Sequence, residues 1–170
     1  MECRMRDRPT VLFICSGNIF RSMTADFSLR AHLRASDEIT IRSAGLGPPP
    51  HGVVDFVRDH LAGKGIDISE HKPTQLTPAM LEDTALPVAM GLEHREIIER
   101  DFEHRLPLFS EVAYGTVEAL RDVWEVVPDW QNNLDASAEY GCSVIDYIHN
   151  GMPGFLERMD DFIARGSGKA

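Results

Sequence analysis

The sequence predicts an α/β fold in which a four-stranded parallel sheet is flanked by helices. One observation favours this class. Short runs of apolar and β-branched residues alternate along the chain with segments whose apolar residues recur at helical spacing, and this alternation is typical of β-α-β units. No internal repeat, low-complexity tract or linker-like segment interrupts the pattern, so the 170 residues are expected to form a single domain.

The predicted elements follow one another in a regular order. Strands are expected at 10–14, 39–43, 86–90 and 106–109. Helices are expected at 22–33, 53–61 and 92–100, with a shorter one after the turn at 114–116. A last apolar stripe runs from Ile145 to Ile163 and contains Pro153. Because a proline removes a helical hydrogen bond, it predicts a kink or two abutting helices.

The loop after the first predicted strand joins a cysteine to an arginine. It contains Cys15, Ser16, Gly17, Asn18, Ile19, Phe20, Arg21 and Ser22. If a helix begins there, the backbone N–H groups of residues 16–21 converge at its N-terminus, where the dipole favours an anion such as phosphate. The same field and the Arg21 guanidinium favour the thiolate form of Cys15. The sequence therefore predicts a phosphate-binding loop after strand 1, with Cys15 as a nucleophile.

A structural interpretation of Cys15 stands beside this one. A lone cysteine at the end of a strand is often a small buried hydrophobe, and the spacing of Cys15 and Arg21 alone arises readily by chance. The preceding apolar run, the Gly17-Asn18 pair and the absence of a partner cysteine nearby favour the catalytic interpretation.

Five segments of the chain resemble one known family in both order and spacing. They are 11–25, 41–47, 65–77, 90–94 and 127–129. Together they are similar to the low-molecular-weight protein tyrosine phosphatases and to the arsenate reductases that share their fold. The resemblance implies a single domain over residues 8–165, flexible termini at 1–7 and 166–170, and hydrolysis of phosphomonoesters through a phosphocysteine on Cys15.

The resemblance also implies roles for individual side chains. Asp129 would be the general acid, since Pro128 breaks the preceding helix and leaves a loop carboxyl; Asp135 and Asp122 are the alternatives. Ser22 would donate to the sulfur, or act only as a helix cap.

Ser43 is the residue that the resemblance implies as a support for the loop. It would hydrogen-bond to Asn18 and hold the unusual backbone of that residue. The structural alternative is a serine that caps its own strand end.

Three positions depart from the family pattern. Phe20 stands where a second cysteine is usual, Gly91 stands where an aspartate is usual, and Trp130 replaces a proline after the acid. Phe20 would line the floor of the cleft or fill the core. Trp130 would supply an aromatic wall for a phosphoaryl group or pack on the edge of the sheet.

Composition limits the classes of partner. A net charge of −10 argues against nucleic acid or an anionic membrane as a partner, and three cysteines without a pairing pattern favour the reducing cytoplasm. The seven histidines form no recognisable metal motif, so no metal or cofactor is expected. The expected partner is a phosphotyrosine protein or a small phosphomonoester, and the oligomeric state is left open.

Two other functions remain. A glutathione-coupled arsenate reductase would need only Cys15, whereas the thioredoxin-coupled kind needs cysteines that are missing between residues 16 and 141. A phosphoprotein-binding module with weak catalysis would keep Cys15 and Arg21 but turn over slowly because its acid loop is altered.

Overall fold

The computed structural model describes residues 8–166. Its elements, in chain order, are β1 (Thr10–Cys15), α1 (Arg21–His32), β2 (Thr40–Gly45), α2 (Asp55–Gly63), α3 (Pro78–Glu82), β3 (Leu86–Ala89), α4 (Leu92–Asp101), α5 (Phe109–Tyr114), α6 (Val123–Val126), α7 (Leu134–Asn150) and α8 (Met152–Arg165). The predicted flexible termini at 1–7 and 166–170 lie outside this range, apart from Gly166, which ends α8.

The sheet is parallel, with β1 between β2 and β3. Residues of β1 alternate between two apolar layers, as the two-residue period of a strand requires. Val11 and Phe13 face a large cluster that includes residues of α1, α2, α7 and α8. Leu12 and Ile14 face a smaller cluster with Leu81 and Ile98. β1 is therefore a central strand buried on both faces, and its carboxyl end lies between the carboxyl ends of β2 and β3.

The predicted α/β class and parallel sheet are confirmed, but the fourth strand is wrong. Segment 106–109 contributes only one isolated parallel bridge, between Leu108 and Ala89, with Ala89 N–H donating to the carbonyl of Pro107 at 3.0 Å. Pro107 has no N–H to give, and the N–H of Leu108 donates instead to Glu111 Oε2 at 2.8 Å. With its donors unavailable, the segment turns into α5.

The predicted break at Pro153 appears as two abutting helices. α7 ends at Asn150 and α8 begins at Met152, so Pro153 lies in the first turn of α8, where a missing N–H costs little. Gly151 between them packs so closely that a Cβ there would lie 2.9 Å from the Tyr114 ring. Among the described helices, none has the length and apolar character of a membrane span.

Candidate active site

Cys15 is the last residue of β1, and α1 begins six residues later at Arg21. The Cys15 side chain is buried, with 3% of its surface exposed. Its Sγ lies 2.9 Å from Ser22 Oγ, the contact that the resemblance implies. The strand, loop and helix therefore stand as the sequence predicts them, with the sulfur below the first turn of α1.

The loop packs against the end of β2 and is hydrogen-bonded to the residues that follow it. Leu46 N–H donates to the carbonyl of Cys15 at 2.9 Å, and Gly47 N–H donates to that of Ser16 at 3.0 Å. Gly45 comes so close that a Cβ on it would lie 2.8 Å from the carbonyl carbon of Gly17. A side chain at position 45 would therefore push the loop out of shape.

Asn18 sits at the bend of the loop with a φ of 57°, a left-handed conformation that few residues other than glycine adopt. Three contacts fix it. Its Nδ2 donates to Ser22 Oγ at 2.9 Å, its Oδ1 accepts from Thr74 N–H at 3.0 Å, and its carbonyl lies 2.7 Å from His71 Nε2. The side chain is fully buried, so this bend is held from the 71–74 segment as well as from α1.

Ser43 does not take the position implied for it. Its hydroxyl donates to Asp26 Oδ2 at 2.8 Å, and Asp26 also pairs with Arg30 at 2.6 Å. The strand register explains the difference, since Ser43 stands beside Phe13, two residues before the loop begins. Ser43 thus fastens β2 to α1, and Thr74 and His71 support Asn18 instead.

Arg21 is almost completely buried, with 1% of its side chain exposed. Its Nη1 donates to the carbonyl of Leu120 at 2.7 Å, and its Nη2 donates to Asp122 Oδ2 at 3.1 Å. Nη2 also lies 3.4 Å from Ser16 Oγ, inside the loop. Among the described residues, no group accepts a hydrogen bond from its Nε. One N–H of a buried guanidinium is therefore available to an anion.

Two further carboxylates surround Arg21. Glu93 Oε1 lies 3.6 Å from Nη1 and Glu125 Oε2 lies 3.9 Å from it. Burial and the neighbouring Glu125 raise the pKa of Glu93, and Arg21 acts in the opposite direction. Nη1 therefore faces acidic groups, whereas Nη2 lies between Asp122 and Ser16 of the loop.

His94 is a site residue that the sequence analysis missed. It is fully buried in the first turn of α4, and its Nε2 lies 2.9 Å from Ser16 Oγ and 3.4 Å from Arg21 Nη2. Burial, and then the charge of Arg21, lower its pKa to about 3, so the imidazole is neutral near pH 7. Its position just after the third strand was the available signal, because the carboxyl ends of parallel strands share one edge.

Asp129 lies apart from this cluster. It is exposed, has a φ of 49° and accepts a hydrogen bond from Asn132 Nδ2 at 2.8 Å. No described hydrogen bond or ion pair joins it to Cys15 or Arg21. Of the two alternative acids, Asp122 contacts Arg21, and Asp135 lies in the first turn of α7.

The two aromatic candidates differ in burial. Phe20 is 7% exposed and meets the edge of the Phe56 ring at a centroid distance of 6.5 Å, which places it in the core. Trp130 is half-buried against the larger apolar cluster, and its ring lies 6.2 Å from that of His51. Trp130 therefore links the loop of Asp129 to the loop that follows β2.

No three His, Cys, Asp or Glu side chains within residues 8–166 are placed to share a metal ion. The site described by these distances consists of a thiol, an arginine and a neutral histidine around the loop that leads into the N-terminus of α1. Such a site can bind an oxyanion against a nucleophilic sulfur without a metal.

Comparison with known proteins gives matches over most of the chain. A family model described as low molecular weight phosphotyrosine protein phosphatase matches residues 10–161. The probable low molecular weight protein-tyrosine-phosphatase EpsP of Ralstonia nicotianae is 29% identical over 156 residues, which are 88% of this chain and 95% of that protein. The protein-arginine-phosphatase of Bacillus subtilis is 29% identical over 109 residues, 62% of this chain and 72% of that protein.

The fold is shared with solved structures. The YwlE arginine phosphatase from Geobacillus stearothermophilus superposes with a TM-score of 0.73 at 19% identity, covering 92% of this chain and 96% of that one. The match of the family model to residues 10–161 decides the assignment. The chain belongs to the low molecular weight phosphotyrosine protein phosphatase family.

Proposed function

We propose that this phosphatase hydrolyses phosphotyrosine in proteins through a phosphocysteine on Cys15, and that the domain over residues 8–165 acts in the cytoplasm, where the thiol stays reduced. One observation carries the proposal. Arg21 is buried beside the loop of Cys15 with its Nε lacking an acceptor among the described residues. A buried guanidinium N–H without a partner is costly unless a ligand takes it, and a phosphate oxygen fits that position.

The first step is an in-line displacement. The non-bridging oxygens of the phosphate bind the N–H groups of the loop and Arg21, which stabilise charge in the transition state. Cys15 Sγ attacks phosphorus, the bond from phosphorus to the tyrosine oxygen breaks, and the leaving oxygen takes a proton from Asp129. The products are the phosphocysteine and tyrosine.

The second step releases phosphate. Asp129, now ionised, removes a proton from a water molecule that attacks phosphorus, and the bond between sulfur and phosphorus breaks. The thiolate that leaves is stabilised by the hydroxyl of Ser22, 2.9 Å from Sγ.

Asp129 is preferred as the acid because Asp122 is already engaged. Asp122 Oδ2 accepts from Arg21 and Oδ1 accepts from Val123 N–H at 2.7 Å, so both of its oxygens serve as acceptors. The Asp129 side chain is exposed and accepts a hydrogen bond only from Asn132. A carboxyl in that position is free to turn toward a leaving group above the loop.

A second substrate is favoured by the acidic surroundings of Arg21. Glu93, Asp122 and Glu125 all lie within 3.9 Å of its guanidinium, and Glu93 is partly exposed. A carboxylate near the phosphate site suits a cationic leaving group. Phosphoarginine in proteins is such a substrate. When its bond between phosphorus and nitrogen breaks, the nitrogen takes a proton and the leaving group is the cationic guanidinium of arginine.

The test is turnover by wild type and by Cys15→Ser on p-nitrophenyl phosphate, a phosphotyrosine peptide and a phosphoarginine peptide. We expect wild type to release phosphate and Cys15→Ser to release none, while the variant still binds inorganic phosphate through the loop and Arg21. Hydrolysis by Cys15→Ser at about a tenth of the wild-type rate would exclude Cys15 as the nucleophile. The ratio of the two peptide rates decides between the substrates.

Two controls address the other functions that the sequence allows. Arsenate with reduced glutathione tests the reductase, for which oxidation of the thiol would depend on arsenate and on Cys15. A binding module would hold the phosphotyrosine peptide and release phosphate from it no faster than Cys15→Ser does.

A further inference from the structure

We propose that Asp122 is a positioning residue, which fixes the guanidinium of Arg21 and thereby joins the segment before the Asp129 loop to the phosphate-binding loop. This inference rests on the proposed function of Arg21 in binding the transferred phosphate. Asp122 does not contact the substrate and acts only through Arg21.

Asp122 binds the N-terminus of α6 and the Arg21 guanidinium at the same time. Its Oδ1 accepts from Val123 N–H at 2.7 Å, which caps α6, while its Oδ2 accepts from Arg21 Nη2 at 3.1 Å. Its own N–H donates to Glu125 Oε2 at 2.6 Å, and that oxygen lies 3.9 Å from Arg21 Nη1. The cap of α6 and the clamp on Arg21 therefore share the same two carboxylates.

The neighbouring backbone is fixed in the same place. The carbonyl of Leu120 accepts from Arg21 Nη1 at 2.7 Å, and the carbonyl of Arg121 accepts from Tyr140 Oη at 2.9 Å. Three consecutive residues thus bind either Arg21 or α7. The segment 120–122 cannot shift without moving the arginine, and Asp129 follows α6 after only two residues.

The clamp leaves Nε of the guanidinium without a partner among the described residues. Nη1 and Nη2 hold Leu120 and Asp122, whereas Nε has no acceptor among residues 8–166. A guanidinium is planar and rigid. Fixing Nη1 and Nη2 therefore fixes the direction of the Nε–H bond, which we expect a phosphate oxygen to meet.

Position 91, on the other side of Arg21, supplies no side chain. A Cβ on Gly91 would lie 3.5 Å from Arg21 Nη1, so a carboxylate from there could reach the guanidinium in its place. In this chain position 91 supplies no carboxylate, the His94 ring occupies the space beside it, 3.2 Å from where that Cβ would lie, and Asp122 and Glu125 provide the clamp.

The chain contains a matched control at the start of α5. There Leu108 N–H donates to Glu111 Oε2 at 2.8 Å, and the same oxygen pairs with Arg95 Nη1 at 2.9 Å. This is a capping carboxylate on an arginine, as in α6, but Arg95 is 24% exposed and has no contact with the phosphate-binding loop among those described. Glu111→Gln therefore measures how much a capping carboxylate that also pairs with an arginine affects the protein when that arginine lies outside the site.

The experiment compares Asp122→Asn, Glu125→Gln and Glu111→Gln, each in the wild-type and the Arg21→Lys background, with p-nitrophenyl phosphate as substrate and inorganic phosphate as inhibitor. Asparagine caps a helix as well as aspartate does, so Asp122→Asn removes the ion pair and keeps α6. We expect kcat to fall roughly 10- to 100-fold, the scale of a misplaced catalytic group, while Glu111→Gln changes nothing.

Phosphate inhibition separates positioning from loss of structure. Removing a negative charge near the anion offsets the looser guanidinium, so the inhibition constant should change far less than kcat. In the Arg21→Lys background, Asp122→Asn should add less than about a twofold change, since both changes remove one interaction. Glu125→Gln should give the same pattern with a smaller fall in kcat.

Three outcomes would overturn the inference. These are a kcat of Asp122→Asn equal to wild type, an equal fall in both backgrounds, and a fall matched by Glu111→Gln. If Cys15→Ser retains turnover, the proposed function fails first. The clamp is then tested by kcat alone, which Asp122→Asn must lower by at least about 10-fold in the wild-type background and by less than about twofold in the Arg21→Lys background, whichever residue is the nucleophile.

Discussion

Asn18 and Asp129 both adopt a left-handed backbone, with φ of 57° and 49°, and both lie in loops assigned to the reaction. Their surroundings differ. Asn18 is fully buried and bonds to Ser22, Thr74 and His71. Asp129 is exposed, and its side chain bonds only to Asn132, in its own turn.

The difference indicates that the phosphate-binding loop is preformed, whereas the loop of Asp129 changes conformation during the reaction. A left-handed residue other than glycine persists where its surroundings hold it, and several elements hold Asn18. The phosphate-binding loop is therefore already built before substrate arrives. The acid loop is a local turn, and its carboxyl must reorient before it can donate a proton.

The largest expected effect on activity comes from a change at Arg21, beside the phosphate-binding loop. Arg21→Lys keeps the charge but loses the planar fork that faces the loop, so kcat/KM should fall about 10³-fold, the upper range for loss of one donor to a transition-state oxygen. Steady-state rates with p-nitrophenyl phosphate measure it. Near-normal kcat/KM would mean that the guanidinium does not bind the phosphate.

A smaller effect is expected from the loop of Asp129. Asp129→Asn should slow hydrolysis of a phosphotyrosine peptide by about 10²-fold, the lower range for a general acid. With p-nitrophenyl phosphate the loss should be smaller, because that leaving group needs less protonation. If Asp135→Asn is harmful and Asp129→Asn is not, the acid lies in α7 and the assignment to Asp129 is wrong.

Glycine at each bend compares the loops directly. Asn18→Gly relieves the left-handed backbone but removes a fully buried side chain that bonds to Ser22 Oγ and to Thr74 N–H, so the free energy of unfolding should fall by about 1–2 kcal/mol. Asp129→Gly relieves the same backbone and loses one exposed hydrogen bond, so it should change stability by less than about 0.5 kcal/mol. Urea denaturation measures both, and equal losses would contradict the contrast between the loops.

The sequence predicted what is contiguous in the chain. Cys15 and Arg21 are separated by five residues, so one strand, one loop and one helix determine their relation, and the predicted loop has that form. The contacts that complete the site join distant residues. Ser16 and His94 are 78 positions apart, and Arg21 and Asp122 are 101 apart, so no local pattern could pair them.

The two errors have different physical causes. Segment 106–109 has the composition of a strand, but Pro107 lacks an N–H and Glu111 takes that of Leu108. Ser43 was placed on the loop by resemblance, whereas the register puts it two residues short, against Asp26. The first cause is local, since Glu111 lies three residues after Leu108, whereas the second, the pairing of Ser43 with Asp26, is set by how β2 packs against α1.

The last and smallest expected effect concerns pH, and it depends on how His94 supports the rigid loop. Its imidazole faces Ser16, Arg21 and Glu93. Burial and then Arg21 lower its pKa from 6.5 to about 3. Below about pH 6.5 the unfolded chain therefore takes up a proton at His94 that the folded protein does not, so stability falls as the pH falls.

This single group should cost up to about 1.4 kcal/mol of unfolding free energy per pH unit below its unfolded pKa. Glu93 acts in the opposite sense, because burial raises its pKa and acid relieves its buried charge, and His104 and His149, whose pKa values burial lowers, act in the same sense as His94. These groups remain in a His94→Gln variant.

Urea denaturation from about pH 7.5 to about pH 5.5 should therefore show a shallower loss of unfolding free energy with falling pH in His94→Gln than in wild type. His51→Gln, a change on the exposed side next to Trp130, should keep the wild-type slope. If all three proteins lose stability in parallel, His94 titrates as an ordinary histidine and does not hold the phosphate-binding loop as a neutral, buried group.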